Sequence, residues 1–565
     1  MSDGAVTAVT VNPRRWWILA AVSLGMFMAL LDVTIVNIAV PAIISDLDTT
    51  VTHVSWVLNA YGLVLAVLFL SMGVLADKYG QKRIFLFGVA TFTLFSLLCG
   101  IAPNIYWLIA FRAGQGVGGA AMAPISLAIL LGVFPREQQG MAVGLWGALG
   151  TVAAAVGPSL GGLLVTYASW HWIFLVNVPI GVVALLLAYS VVPEVRHPEK
   201  AGQEGLDVAG IVLAAFGLFC LTLALIQGNS WGWGSAAIIA LFVMAFASYP
   251  LFVWWELRTR HPMFDFKLLR IRSFTAANMA MLFMGMAMGG TFLMVVIFLV
   301  NVLGYSELRA ALALTVMPLV ALIVAPNSGR LVDRIGPRIP GAVGAAAFAV
   351  GLILLAQLNG TSSLLDVMWR VVFLGIGIGF AMPSMSSASV SSLPPQSRGV
   401  GSGSLNTLRQ VGFVLGVAIL VSIFSHTVAT NAAEATRQSV ALVATQQQIP
   451  APARQQISAA IVGNAKRMQA AGGEGGARLK NPLAGAPQAA PGSPEAQSRQ
   501  MLSVKIGAIY RENIANSFSW PFYAAAVAAL LAIVPALLTG TRLGQFAGYE
   551  KMDRQERLAA DGASQ

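Results

Sequence analysis

Long apolar stretches alternate with short polar connections along the whole chain. A helix that crosses a bilayer needs about 20 mostly apolar residues, and fourteen stretches approach or exceed that length before Gly, Pro or charged residues interrupt them. Their limits are 16–40, 53–73, 83–102, 106–130, 140–166, 172–192, 207–226, 234–255, 272–300, 309–330, 339–358, 364–392, 399–424 and 518–538. The pattern predicts an all-α polytopic membrane protein.

The charged residues agree with this prediction and orient the spans. Only 10% of the 565 residues are charged and 57% are hydrophobic, whereas an ordinary soluble domain has about 25% charged residues. Lys and Arg concentrate on one side of the spans, and the short loops opposite hold only Arg309. By the positive-inside rule both termini are cytoplasmic, as an even number of spans requires. The net charge of +11 therefore indicates membrane topology rather than nucleic-acid binding.

Two connections repeat each other at identical spacing. "GVLADKYGQK" begins at Gly73 and "GRLVDRIGPR" begins at Gly329. A second set recurs at one constant offset, in which Gly116, Gly118, Pro124, Pro135, Gly140 and Gly144 correspond to Gly375, Gly377, Pro383, Pro394, Gly399 and Gly403. Span 10 thus corresponds to span 2, and spans 12 and 13 correspond to spans 4 and 5. Two six-helix halves in parallel repeat are typical of the major facilitator fold.

The repeat divides the chain into segments, with spans 7 and 8 as an extra pair. The predicted segments are a first half (1–192), the extra pair (193–260), five helices of the second half (261–424), an extracytoplasmic insertion (425–517), the last helix (518–540) and a cytoplasmic tail (541–565). The insertion is rich in Ala and Gln, so we expect partial disorder rather than a catalytic domain. Ser503–Asn516 is a candidate surface helix. Binding of an external partner by the insertion is an open alternative.

Several motifs together carry a family resemblance. They are "LDVTIVNIAVP" in span 1, "GVLADKYGQKR" between spans 2 and 3, "RAGQGVGGA" in span 4, "VGPSLGG" in span 5, "WHWIFLVNVPIG" in span 6 and "LNTLRQVG" in span 13. The chain resembles the 14-span drug:proton antiporters of the major facilitator superfamily along nearly all its spans. Ala153, where the span 5 signature often has glycine, and Gln81, where the loop often has a basic residue, depart from the family pattern.

An acid and a base lie within the first and fourth spans. Asp32 lies well inside hydrocarbon, where a carboxyl group is neutral or paired, and one that takes up a proton is a coupling device. Arg112, with Gln115 on the same helix face, keeps its charge. We expect Asp32 and Arg112 to form the proton-coupling site, as the resemblance also implies. A static buried ion pair is the alternative.

Other polar and flexible side chains within the spans are candidates for a substrate cavity. They are Thr34, Asn37, Asn59, Tyr61, Gln115, Met284, Met288, Asn406 and Arg409. Helix packing explains Thr34 and Asn37 about as well. Lipid-facing packing explains the methionines nearly as well as adaptable ligand contacts do. Arg409 either binds substrate or braces the second half.

The repeated loop and the glycine-rich fifth span predict two conformational elements. Asp77 can accept hydrogen bonds from backbone amides at a neighbouring helix start and pair with Lys82 or Arg83, which would latch one conformation. This predicted latch consists of Gly73, Asp77, Gly80, Lys82, Arg83 and Asp333. In span 5, Gly157, Pro158, Gly161 and Gly162 allow close helix approach and a bend. In the family this antiporter helix reduces proton leak.

These features predict a proton-coupled antiporter that works by alternating access and exports amphipathic, often cationic, small molecules across the cytoplasmic membrane. The expected source is a bacterium. An exporter of lipids or of an endogenous metabolite on the same scaffold is the alternative. The expected partners are small amphipathic substrates, protons and membrane lipids. Cys99 and Cys220 lie in apolar spans and no nucleotide-binding Gly-Lys-Ser/Thr loop occurs, so we expect no cofactor, no metal and no enzymatic activity.

Overall fold

The computed structural model describes residues 13–194, 207–259, 262–447, 449–470 and 494–540. The helices are α1 (Arg15–Asp46), α2 (Val51–Tyr79), α3 (Gln81–Gly100), α4 (Ile105–Val133), α5 (Gln139–Tyr167), α6 (Trp172–Leu175), α7 (Asn177–Val191), α8 (Val208–Trp231), α9 (Ala236–Glu256), α10 (Arg272–Met288), α11 (Thr291–Ile297), α12 (Glu307–Leu314), α13 (Val316–Ile335), α14 (Arg338–Leu355), α15 (Leu364–Ser391), α16 (Arg398–Ala444), α17 (Ala451–Ala470), α18 (Pro494–Asn516) and α19 (Ser519–Leu537). Among the described residues, fourteen helical segments are long and apolar enough to cross a membrane, which confirms the predicted number of spans.

The two repeated connections have similar backbone geometry. Gly80 follows α2 with a φ of 103°, and Gly336 follows α13 with a φ of 83°. Residues with a side chain rarely adopt such positive φ values, so each turn requires its glycine. The repeat in sequence is therefore also a repeat in local structure. Both turns lie at the same end of the bundle, which we call the repeat-loop end and which the charge pattern predicts to be cytoplasmic.

The ninth span is broken where it meets α16. The break between α10 and α11 lies at Gly290, which has a φ of 76°, and a π-helical turn follows α11 at Phe298–Val302. A Cβ atom on the preceding Gly289 would collide with the backbone of Phe413 in α16. The missing side chains thus let the backbones of α10 and α16 approach closely.

The extra pair, α8 and α9, lies beside both halves. α8 contacts α2 of the first half and α16 of the second half. Leu225 of α8 packs with Val414 and Ala418 of α16, and the Ser422 hydroxyl donates to Asn229 Oδ1 at 2.9 Å. The pair therefore flanks the boundary between the halves on its outer side, and α9 remains mostly exposed to the membrane.

The insertion is more ordered than its composition predicts. Helix α16 has 47 residues and is about 70 Å long, so its last part extends beyond the membrane and packs with α17 and α18. These helices share a small core of Ala435, Val443, Ile449, Ile457, Ile461, Leu502, Ile506 and Tyr510. The described part of the insertion is thus helical, and α18 contains the predicted helix Ser503–Asn516. A few large apolar residues at helical spacing are enough to pack three helices. Residues 471–493, which hold nearly all of the Gly/Pro-rich stretch, lie outside the described part.

Candidate functional site

Asp32 and Arg112 form a buried ion pair between α1 and α4. Arg112 Nη1 lies 2.5 Å from Asp32 Oδ2, and the exposed fractions are 0% for Asp32 and 1% for Arg112. The guanidinium keeps its charge in proteins, whereas a carboxylate can take up a proton. The pair therefore combines one fixed charge with one that can be neutralised.

The amides of Gln115 in α4 and Asn177 in α7 complete the hydrogen bonding of Asp32. Gln115 Nε2 donates to Asp32 Oδ1 at 2.9 Å, and Gln115 Oε1 accepts from Arg112 Nη1 at 2.6 Å. Asn177, the first residue of α7, donates its Nδ2 to Asp32 Oδ1 at 3.5 Å and to the Ser96 hydroxyl of α3 at 3.1 Å. Both carboxylate oxygens thus have partners, and four helices of the first half meet at one acid.

The surroundings of Arg112 hold its side chain in one place. Its Nε donates to the Val57 carbonyl at 3.0 Å, and its Cζ lies 4.3 Å from the centroid of the Tyr61 ring and 5.7 Å from that of Phe174. An aromatic face attracts a cation more strongly when water is excluded. The Tyr61 hydroxyl is buried and has no hydrogen-bond partner among the described residues. It is therefore free to accept a new donor when the pair rearranges.

In this arrangement the Asp32 carboxylate compensates the buried charge of Arg112. Neutralising Asp32 would leave the Arg112 charge buried without its counter-ion. Breaking a buried pair by removing one partner costs about 3–5 kcal/mol, which is comparable with the free-energy differences that separate conformations. A proton on Asp32 would therefore favour a conformation in which Arg112 finds another partner or water.

A second constellation joins the two halves at the repeat-loop end. Asp77 of α2 accepts from the backbone N–H groups of Gly399 and Val400, each at 2.8 Å, in the first turn of α16. Asp333 of α13 accepts from the N–H groups of Gly140 and Met141 at 2.6 and 3.0 Å, in the first turn of α5. The positive end of a helix dipole stabilises a carboxylate at this position. Each half thus supplies a carboxylate to a helix of the other half.

Close backbone contacts at the same end depend on glycines of the repeat. A Cβ atom on Gly73 would collide with the Gly399 carbonyl, and one on Gly140 with the Gly329 carbonyl. The Arg398 Nη1 atom also donates to the Leu131 carbonyl across the boundary at 2.7 Å. The halves are therefore in contact at the repeat-loop end, so the structure is the conformation closed at that end.

The remaining residues of the predicted latch lie beside this contact. Lys82 Nζ donates to the Tyr189 carbonyl at 2.7 Å, and Arg83 Nε lies 3.7 Å from Glu194 Oε2. These two basic residues thus contact the end of α7 and the residues after it, where the sequence predicted pairing with Asp77. They brace the first half, while Asp77 contacts the second half.

The glycines of the antiporter helix face the first span. Gly157 packs against Thr34, and Gly161 packs against Ile35. Pro158 lies within α5, and Gly162 has no atoms near the position of a Cβ. The glycine-rich part of α5 therefore lies against the helix that carries Asp32, whereas the start of α5 contacts the second half.

The other candidates for a substrate cavity divide into two groups. Met284 is buried in the core of the second half, and the Asn406 amide donates to the Ser402 carbonyl of its own helix. Thr34 and Asn37 also donate to carbonyls of their own helix. Partly exposed positions are those of Thr34, Asn59, Met288 and Arg409, and Asn37 is exposed. Only this second group is accessible to a ligand in the present conformation.

Sequence reasoning missed Asn177 and Ser96 as neighbours of Asp32. Asn177 lies within the "WHWIFLVNVPIG" motif, and an amide in an apolar span was the available signal. Its distance to Asp32 depends on how α1, α3 and α7 cross, which helical periodicity does not define. Trp170 of the same motif donates Nε1 to Asp46 Oδ2 at 2.8 Å and so fixes the approach of α6 to the end of α1.

Similarity to known proteins identifies the family of the chain. The model of the Major Facilitator Superfamily matches residues 22–417. The chain belongs to the major facilitator superfamily. It is 34% identical over 416 residues to "Multidrug resistance protein Stp" of Mycobacterium tuberculosis, which covers 74% of this chain and 77% of the relative. It is 35% identical over 411 residues to the "Tetracenomycin C resistance and export protein" of Streptomyces glaucescens, covering 72% and 75%.

A solved structure supports the same fold. The human organic anion transporter MFSD10 superposes with a TM-score of 0.56 at 14% identity, over 73% of this chain and 94% of that one. From its family and its relatives, this major facilitator protein is a transporter and not an enzyme, and it is related to drug-resistance proteins. It is a multi-pass protein of the bacterial cell membrane. The orientation of its termini stays a prediction.

Proposed function

We propose that the protein exports amphipathic small molecules, drugs among them, in exchange for protons by alternating access. The observation that carries this proposal is the buried Asp32–Arg112 pair. Burying two charges away from water inside a membrane is energetically costly, and ionisable residues in membrane spans usually have a function. The similarity to drug-resistance proteins supports export as the direction of transport.

In the proposed cycle the proton on Asp32 and the contacts at the repeat-loop end respond to each other. With Asp32 ionised, Arg112 and Gln115 hold α1 against α4, while Asp77 and Asp333 hold the halves closed at the predicted cytoplasmic end. A proton from outside neutralises Asp32 and releases Arg112 from its partner. The cleft then opens at the repeat-loop end, where the proton leaves and cargo enters. Re-forming the ion pair favours the closed contact again.

Transport by purified protein in vesicles tests the proposal. With a pH gradient imposed, the wild type should move an amphipathic dye against its concentration gradient, and Asp32→Asn should abolish this uphill movement. Asp46→Asn is the matched control, because Asp46 lies in the same helix and its carboxylate bonds to Trp170. We expect this control to retain uphill transport.

Two outcomes would contradict the proposal. Uphill dye movement by Asp32→Asn at the wild-type rate would exclude Asp32 as the coupling site. Lipid transfer without dye movement would favour the alternative of a lipid exporter on the same scaffold.

A further inference from the structure

Arg409 is a second arginine within the membrane, and it lies at mid-depth. It lies eleven residues after the start of α16 at Arg398, hence about 16 Å along the helix axis. The hydrocarbon core is about 30 Å thick. A guanidinium at this depth is costly and marks a functional position by default.

The side chain of Arg409 faces the cleft between the halves. Gly403, on one face of α16, packs against Phe69 and Leu70 of α2 in the first half, whereas Gly412, on another face, packs against Leu282 of α10 in the second half. At 100° per residue these two faces are opposite each other, and Arg409 lies on the side of α16 away from Val414 and Ala418, which pack with Leu225 of the outer helix α8. It is therefore directed towards the line along which the halves separate.

Exposure on this face of α16 rises from Ser402 to Phe413 and falls again at Leu420, which is 2% exposed. Ser402 is 0% exposed and Asn406 is 4% exposed, Arg409 is partly exposed, and Phe413 is 41% exposed. The accessible part of this face within the span therefore lies around Arg409 and Phe413.

The charge of Arg409 is not neutralised by the protein. Within the described part of the chain its guanidinium makes no hydrogen bond or ion pair, in contrast to Arg112. Carboxylates in the neighbouring spans bond elsewhere, Asp32 with Arg112, Asp77 with α16 amides and Asp333 with α5 amides. The cleft thus presents a permanent positive charge whose donors can bind an anionic oxygen pair in a fork.

From this geometry we infer that Arg409 binds an anionic group, such as a carboxylate or phenolate, of the exported compound. This inference rests on the proposed export function and refines the predicted cargo from an often cationic amphiphile to one that carries an acidic group. Phe413, one turn further along, offers an apolar surface to the ring system that carries that group.

A matched pair of dyes tests the inference. The probes are a xanthene dye with a free carboxylate and its methyl ester, which differ in that single charge. For the wild type we expect tighter binding of the acid than of the ester, measured by fluorescence polarisation with purified protein. Arg409→Gln should weaken binding of the acid about tenfold, the effect of losing one charge-assisted hydrogen bond, and leave the ester unchanged.

Two further variants keep the test decisive. Arg409→Lys retains the charge, so it should keep part of the preference for the acid even if the Gln variant fails to fold. Arg370→Gln is the control, because Arg370 lies in the neighbouring α15 and donates Nη1 to the Asp366 carbonyl at 2.8 Å. It should bind both dyes as the wild type does.

The contrary outcomes separate this inference from the function it rests on. A wild type that prefers the ester, or an Arg409→Gln variant that weakens both dyes equally, would overturn the anion contact and assign Arg409 to bracing the second half. A wild type that binds the acid but moves neither dye in vesicles would contradict the export function while leaving the contact intact.

Discussion

The two halves of the molecule differ in their intramembrane charges and agree in their boundary contacts. Arg112 of the first half is sealed and meets a carboxylate, an amide, a carbonyl and two aromatic rings. Arg409 of the second half is partly exposed and has no such partner among the described residues. By contrast, Asp77 and Asp333 each accept from two consecutive backbone amides at equivalent helix starts.

This difference distinguishes the boundary contacts, which occur in both halves, from the two arginines, each of which occurs in one half only. The offset that relates Gly116 to Gly375 relates Arg112 to Val371, so the buried charge is absent from the second repeat. Likewise no arginine occupies the first-half position equivalent to Arg409, which is Gly150. We propose that elements present in both halves serve a symmetric motion, whereas the two arginines act on different ligands, Arg112 on a proton through Asp32 and Arg409 on cargo.

The largest expected effect is that of removing Arg112. Arg112→Met leaves Asp32 buried without a counter-ion, so we expect the free energy of unfolding to fall by about 3–5 kcal/mol. Arg409→Gln removes an unpaired charge at mid-depth in the membrane, so it should not lower the free energy of unfolding. Thermal unfolding of the purified variants measures both.

The double variant Asp32→Asn with Arg112→Met sharpens the comparison. Because neither charge remains, it should recover most of the stability that Arg112→Met loses. Equal losses for Arg112→Met and Arg409→Gln would contradict the contrast between a paired and an unpaired arginine.

A smaller effect is expected at the boundary contacts. Asp77→Ala and Asp333→Ala each remove charge-assisted bonds to a helix start, and we expect each to shift the conformational equilibrium about tenfold towards opening at the repeat-loop end. Spin labels at the exposed positions Glu137 and Arg334 report the separation of the halves there. Similar shifts for both variants are expected from the repeat, and a shift for only one would show that the contacts are not equivalent.

The smallest effect is that of the residues around Asp32. Asn177→Ala removes one hydrogen bond to Asp32 and one to Ser96, which together contribute about 1 kcal/mol, so we expect uphill efflux to slow about fivefold. Asn278→Ala is the matched control, because Asn278 is also buried and its Nδ2 donates to Ser389 at 3.0 Å in the second half. Equal loss of coupling in both variants would contradict a specific role for Asn177.

The sequence predicts most of the fold because spans depend on the length of apolar stretches and turns on glycine. Most span limits agree within a few residues, while α2 and α16 run further than predicted. The insertion is the exception, since the end of α16 packs with α17 and α18 on few apolar residues such as Ile457 and Leu502.

The site is less predictable, because it depends on contacts through space. The motifs identify Asp32 and Arg112, and their pairing is expected because an unpaired charge in the membrane interior is costly. That Asn177 reaches Asp32, and that Ser96 bonds to Asn177, depends on how the helices cross. Met284, whose flexibility suggested a ligand contact, is buried in the core instead, because one helix face cannot be assigned to cleft or core from spacing alone.

Proton release on substrate binding tests the central claim most directly. Purified protein in weakly buffered solution with a pH indicator should release a proton from the wild type and from Asp46→Asn when an exported compound is added. Asp32→Asn should bind the compound and release none. Release from Asp32→Asn equal to that from the wild type would contradict the account, because the proton would then come from a group other than Asp32.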